Sequence, residues 1–381
     1  MCKIFMLFLC VLVLSGCWDR SEVNDVAFVI ATGFDKVEEN KFQVSVQVPL
    51  PGAMGDGASG GGGGTSGGPY YVDSGIGRNV RESNDDLQKR MSRELYFGHR
   101  RVLVFGEKMA RGGFQKSLEV VLEQPQSRLS SYVLLTDGEA LKILNGTPHL
   151  EQLPAEAIRE MAKSMNAITV KDVLNDLERH GKDPVIPKVD VVETQNGDSK
   201  DKKDEFKLNG FGILKHDHLK FFTNKQETSG AMWLLEKFPG SNYTFSLGEK
   251  DEINVYINNQ RTQINSKVID GMPTFTINIK VNAHTVQNEP KLDLEKQEEY
   301  KLATGKMEEQ IKAEVTEILE HSTSEGIDMA GLGWHLFRHE IFLWEEKWKD
   351  NWEKLLPDLK IDVKVNAEIE RTINSGINIK E

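Results

Sequence analysis

The amino end of the chain sets the first constraint. Residues 4–14 form an unbroken apolar run, with nothing more polar in it than Cys10, and the run closes on Leu14-Ser15-Gly16-Cys17. Only Lys3 and the free amine lie ahead of it. The run falls far short of the ~20 residues that a helix needs to cross a bilayer, and it fits the apolar core of an export signal. Ser15 and Gly16 are small enough for a signal-peptidase pocket. The signal peptide is therefore expected to be 1–16, with the mature chain starting at Cys17.

A branched aliphatic residue three places before a cysteine, followed by two small residues, resembles the lipobox of bacterial lipoproteins. The resemblance implies that Cys17 is the lipidation site, an S-diacylglycerol cysteine carrying an N-palmitoyl group after cleavage. An ordinary secretory signal with a chance cysteine at the cut is the alternative. Run length, small residues and cysteine position all agree with the lipoprotein. Each buried methylene contributes ~0.8 kcal/mol, and two acyl chains hold a protein at a membrane where one does not.

Composition narrows what the remainder can be. The chain of 381 residues is long enough, after the signal, for two or three domains. Its hydrophobic share of 39% and charged share of 28% are those of a folded, water-facing protein. The formal net charge of −12 disfavours phosphate backbones and anionic headgroups, so nucleic acid is not an expected partner. The three cysteines are Cys2, Cys10 and Cys17. Two leave with the signal and the third is acylated, which removes disulfides, thiolate catalysis and cysteine metal sites from the mature chain.

Along the chain, 26–31 reads as a buried strand. Phe42, Val44, Val46 and Val48 alternate in a second strand, with 35–40 turning between the two. Residues 52–68 are dominated by glycine and are expected to be a disordered loop. Two G-x-S-x-G strings around Ser59 and Ser66 fall there. A nucleophile elbow needs a strand before the serine and a helix after it, and neither pattern is present. Leu87, Met91 and Leu95 then share a helical face, and 101–105 is a strand. Phe114, Leu118, Val121 and Leu122 mark a helix closed by Pro125. Residues 132–136 form a strand, followed by a helix through Ala140, Leu141 and Leu144. Helices are expected at 154–165 and at 169–180, the latter capped by Thr169 and stopped by Gly181. The stretch 185–192, interrupted by Pro187, reads as an edge strand.

Residues 194–205 are polar and read as a linker. A hairpin at 206–214 and 219–222 turns through Lys215-His216-Asp217-His218. A short helix at 231–238 and strands at 253–257 and 264–269 complete a small middle α+β unit, 206–270. In the C-terminal unit, 271–381, Phe275, Ile277, Ile279, Val281 and Ala283 alternate strictly. Met307, Ile311, Val315 and Ile318 share a helical face, and Ile341, Trp344, Trp348, Trp352 and Leu355 recur at helical spacing. Alternation returns from Ile361 to Ile369. The tryptophan stripe is expected in a core. The fold class is thus α+β and multidomain: an N-terminal α/β domain, 17–193, with mixed sheets covered by helices, and a C-terminal sheet with helices packed on one face.

No catalytic constellation emerges. His335 and His339 lie one helical turn apart, but Leu336 and Arg338 occupy the places where a zincin or inverzincin needs its glutamate. His216 and His218 lack a third ligand at any metal-site spacing. Gly75-Ile76-Gly77 has Val80 where a dinucleotide fingerprint needs its third glycine. Catalytic, cofactor-binding and metal sites are therefore all read as none.

Several segments in order resemble the Ger(x)C family of spore germination lipoproteins. They are Gly16-Cys17-Trp18-Asp19 with Glu22, Ala31-Thr32-Gly33-Phe34-Asp35, Phe97-Gly98-His99-Arg100-Arg101 through Glu107, and Ala110-Arg111-Gly112-Gly113. Glu227-Thr228-Ser229-Gly230 with Trp233-Leu234, the strand 273–281, and Trp348-Lys349-Asp350-Asn351-Trp352 leading to Pro357 continue the match. The resemblance implies the C subunit of a nutrient germinant receptor, non-enzymatic and without cofactors. It also implies a lipid-anchored location at the spore's inner membrane, facing outward, beside integral membrane A-type and B-type subunits. Direct binding of a small molecule by this subunit is left open. A solute-binding lipoprotein of a transporter is the alternative of a different class, and a tethered cell-wall hydrolase a third.

Overall fold

The computed structural model describes residues 23–50, 69–124, 126–165, 167–194, 204–248 and 251–370. The signal segment 1–16, Cys17, the glycine tract 52–68 and most of the linker 194–205 lie outside the described residues.

The first half begins with β1 (Val26–Phe28), β2 (Ala31–Glu38), β3 (Lys41–Pro49), β4 (Tyr70–Gly77) and β5 (Glu94–Tyr96). It continues with β6 (Val102–Gly106), β7 (Tyr132–Thr136), β8 (Val185–Glu193), β9 (Asp204–Lys215) and β10 (His218–Phe222). Eight of these strands form one sheet in the order β10-β9-β8-β7-β6-β2-β3-β4. Its centre, β2-β6-β7-β8, is parallel, and both wings are antiparallel. Parallel pairs need crossover connections. Here α2 (Glu107–Gly112), α3 (Gln115–Glu123), α4 (Ala140–Leu144), α5 (Pro154–Ser164) and α6 (Val170–Glu178) supply them, after α1 (Val80–Gln88).

The helices divide between the two faces. Leu103, Phe105, Val133 and Leu135 pack with Met109, Phe114, Leu118 and Val173. Val102, Val104 and Leu134, one residue out of phase, pack with Ala140, Ile143, Leu144 and Ile158. Strands covered on both faces read as continuous apolar runs, which is why 102–105 and 133–135 show no alternation.

Several sequence expectations are corrected. The apolar run 26–31 is split: β1 pairs with β5, and only at Ala31 does the chain enter the large sheet. The β2–β3 turn takes two residues, Glu39-Asn40, with Asn40 at φ +61°, so polar residues 35–38 remain in the strand. The helix expected through Leu87, Met91 and Leu95 stops at Gln88, and Leu95 belongs to β5. The three side chains still meet in one cluster with Val29 and Val46, because the chain doubles back. Residues 185–192 are not an edge: β8 lies between β7 and β9. Pro187 is tolerated there because the β8–β9 register shifts just beyond it. Gly75 and Gly77 stand in β4 and let α1 rest on strand backbone. A Cβ on Gly75 would lie 2.1 Å from the Ser83 carbonyl oxygen.

Residues 206–222 add β9 and β10 to the first sheet, whereas residues 242–269 join the second. That sheet runs β11-β12-β13-β14, with β11 (Asn242–Ser246), β12 (Glu252–Ile269), β13 (Met272–Asn288) and β14 (Lys360–Glu370). The two short strands expected within 253–269 are one strand of 18 residues. Its polar middle stays paired with β13 through a register shift between Ile257 and Asn259. The preceding helix, α7 (Lys225–Leu234), starts six residues earlier than expected. Asn224 and Glu227 form a reciprocal capping box that fixes its first turn.

One face of the second sheet is covered by α8 (Gln297–Ser324), which contributes Ala303, Met307, Ile311 and Val315. The other face is wet, as the alternating burial along β14 shows. After α9 (Leu332–His339) the chain does not form one regular helix. Residues Trp344–Trp348 make a π turn in which the Lys349 N–H donates to the Trp344 carbonyl, and a 3-10 turn follows before Trp352–Leu355. The change of winding keeps Trp344, Trp348 and Trp352 on one side, and all three are buried in the core. An α+β multidomain fold with mixed sheets and helices is the outcome.

Candidate functional site

The most elaborate polar arrangement lies where the two halves meet. It is built on Asp183, which precedes β8, and Asp328, which precedes α9. The Asp183 N–H donates to the Asp328 carbonyl at 2.9 Å, and the Asp328 N–H donates to Asp183 Oδ2 at 2.8 Å. Asp183 Oδ1 accepts from the His216 N–H at 2.7 Å, tying in the β9–β10 turn. Asp328 in turn caps α9. Its Oδ1 accepts from Gly331 and Leu332, and its Oδ2 from Gly333 and from Trp352 Nε1, all at 2.7–2.9 Å.

Glycines allow this closeness. Gly181, at φ +62°, accepts from the Trp334 N–H through its carbonyl, and a Cβ on it would sit 2.5 Å from the Gly333 Cα. Beside this contact Lys215 Nζ lies 2.8 Å from Glu353, whose other oxygen meets His216 Nε2 at 3.0 Å.

Burial sets the electrostatics. Desolvation pushes the Asp328 carboxyl up to about 6, against the Gly333, Leu332 and Trp352 N–H groups and the Lys182 charge that pull it down. Desolvation likewise raises Asp183. The Lys215 ammonium holds Glu353 below the usual carboxylate range. A cleft of about 340 Å³ opens at the junction, lined among others by His180, His216, Trp344, Trp352 and Glu353. A general base needs a lone pair aimed at a substrate proton. The oxygens of Asp183 and Asp328 are instead directed at backbone and indole N–H groups. The arrangement fastens one half of the chain to the other.

A third buried aspartate, within the first half, plays a part parallel to that of Asp328. Asp35, at the end of the Ala31–Asp35 motif, accepts from the Ala140 and Leu141 N–H groups at 2.8 and 3.1 Å. It thereby caps α4 from a strand about one hundred residues away in sequence. Desolvation pushes it, too, up to about 6. In the second half Glu314 Oε2 collects Ser229, Trp233 and Tyr243, which accounts for two members of the 227–234 motif, while Glu227 meets His321 and Thr228 donates to the Asn224 carbonyl.

The histidine pairs are placed as follows. His335 and His339 do come together, their rings stacked at 4.2 Å. However, His335 Nε2 meets Ser266 Oγ and His339 Nδ1 meets the His335 carbonyl. His216 and His218 diverge, toward Glu353 and Asp217 respectively. Among the described residues no group of three or more His, Cys, Asp or Glu is arranged to hold a metal ion. Also among them, no helix is long and apolar enough to cross a membrane. Cys17, the one site the sequence singles out, lies outside the described residues.

Sequence reasoning missed both aspartate caps. Asp328 stands three residues before Gly331, a local signal that could have been found. Asp35 caps a helix that no local pattern connects to it.

Fold and junction together define an α+β protein with two main sheets and a small β1–β5 pair, whose halves are joined by hydrogen bonds between Asp183 and Asp328. Residues 19–191 match the family model described as the spore germination protein N-terminal domain. Residues 209–373 match the model described as spore germination B3/GerAC-like, C-terminal. YfkR of Bacillus subtilis (strain 168), named as a spore germination protein, is 30% identical over 328 residues, covering 85% of this chain and 84% of its own. Spore germination protein KC of the same organism is 27% identical over 364 residues, covering 90% and 88%. The crystal structure of the GerBC protein superposes with a TM-score of 0.55 at 16% identity, over 93% of this chain and all of that one. The chain belongs to the Ger(x)C family of spore germination proteins.

Proposed function

We propose that this protein is a C-type subunit of a nutrient germinant receptor, held at the spore's inner membrane by the lipid on Cys17 and facing outward. It acts beside integral membrane A-type and B-type subunits, and it carries no chemistry of its own. The observation that carries the reading is the family match across both halves, joined to the Leu14–Cys17 lipobox. The junction supports a mechanical part. Halves tied through Asp183 and Asp328 pass a displacement from one to the other.

The test is Cys17→Ala. Spores carrying it are expected to lose most of their nutrient-triggered germination while the protein still folds. Lipid tethering raises the effective concentration of a partner to the millimolar range, and losing it removes about two orders of magnitude in avidity. Wild-type response to every nutrient would overturn the anchoring. A solute-binding lipoprotein would instead show strong thermal stabilisation by one amino acid or sugar. Its two lobes would also resemble each other, and the eight-stranded and four-stranded sheets here do not.

A further inference from the structure

For an acidic chain, one pocket is conspicuously basic. A cavity of about 330 Å³ is lined by His99, Arg100, Arg101, Arg128, Tyr132 and Arg159. It lies at the entry of β6 and β7 and beside α5. The ion pairs within it are Arg101–Glu156, Arg159–Glu156 and Arg159–Glu160. Two acids thus face four arginines. Among the described residues Arg100 and Arg128 have no acidic partner.

Arg100 is only 3% exposed. Its guanidinium donates to Ser127 Oγ at 2.8 Å and lies over the Phe97 ring, while its Nε has no hydrogen-bond partner. Burying an arginine without a counter-charge is costly, and a planar guanidinium cluster matches the oxygens of a phosphate or a carboxylate.

The pocket's place in the chain says where that anion comes from. The Phe28 ring packs on His99 at 4.9 Å, and the Arg101 N–H donates to the Ile30 carbonyl. The connection from Cys17 to Phe28 can therefore extend no more than about 40 Å, whatever its path. We infer that this arginine pocket binds the phosphate of an anionic phospholipid headgroup and so sets the protein's orientation on the membrane to which it is tethered. The choice of lipid over free phosphate rests on the Cys17 anchor. The overall charge of −12 argues against recruitment by electrostatics. A tethered pocket needs little affinity, because its ligand is present at high effective concentration.

The experiment places the lipidated protein in nanodiscs of phosphatidylglycerol or of phosphatidylcholine and follows amide hydrogen exchange at 99–101 and 128–132. Exchange there is expected to slow roughly tenfold in phosphatidylglycerol relative to phosphatidylcholine. Arg128→Glu, at an exposed position, and Arg159→Gln should each abolish the difference without moving the melting temperature. Equal exchange in the two discs, or a difference that survives both substitutions, would overturn the pocket. Inorganic phosphate giving full protection in phosphatidylcholine discs while phosphatidylglycerol gives none would overturn the lipid and leave a free-phosphate site. Failure to enter either disc would overturn the anchor, and with it the assignment to lipid.

Discussion

The two halves of this molecule bury their cores in different ways. The first sheet is sandwiched, with helices on both faces and parallel strands that are apolar from end to end. The second is covered on one face only, and its strands alternate between core and water. Each half nevertheless relies on one buried aspartate to seat a short helix. Asp35 does so across the sheet for α4, and Asp328 does so locally for α9. The contrast is in what else each carboxylate holds. Asp35 serves one helix within one half. Asp328 serves α9, Trp352 and, through its backbone, Asp183 of the other half.

That contrast predicts unequal costs. Asp328→Ala leaves three backbone N–H groups and an indole N–H buried without an acceptor. At about 1–3 kcal/mol for each unsatisfied group, partly relieved by relaxation, it should destabilise by on the order of 4 kcal/mol. The bonds from residue 328 to Asp183 run through its backbone and survive this change. Asp183→Ala, which removes the acceptor of the Asp328 and His216 N–H groups, is the substitution expected to make the halves unfold in separate transitions under chemical denaturation. Asp35→Ala strands two N–H groups and should cost about 2 kcal/mol, with a single transition retained. If Asp183→Ala keeps a single transition, the aspartate pair does not fasten the halves.

The finest test is pH. Asp35 and Asp328 are each pushed up to about 6 from 3.8. Their folded forms therefore bind protons at pH values where the unfolded chain does not. The two groups add stability as pH falls through about 6 and stop adding below about 4. Moving from about pH 7 to about pH 5 should gain about 1 kcal/mol from each. Glu353, held low by Lys215, works the other way, and its contribution is lost only at more acidic pH. Asp35→Asn should remove the share of the gain that Asp35 supplies, about 1 kcal/mol; an unchanged pH profile would show that Asp35 is not one of the groups responsible.

How much of this was legible follows from range. The strands 102–106 and 132–136, the capped helix at Thr169 and the wet-faced strands 272–288 and 360–370 declare themselves within a few residues. The tryptophan spacing correctly indicated burial but concealed the π turn, because residues four apart leave the local winding undecided. What stayed hidden depended on distant partners. Pro187 looks like an edge until β7 covers its strand. Asp35 looks like a turn residue until α4 arrives over it. The capping box at Asn224 and Glu227 was local and readable, and it would have placed the start of α7 correctly.

The paired aspartates also bear on how movement travels. One backbone-to-backbone and one backbone-to-carboxylate bond run in opposite directions between Asp183 and Asp328, so shear as well as separation stretches one of them. A splice of that kind joins the residue that leads into β8 of the large sheet to the residue that leads into α9 of the second half, so the two sheets share one short stretch of bonded backbone.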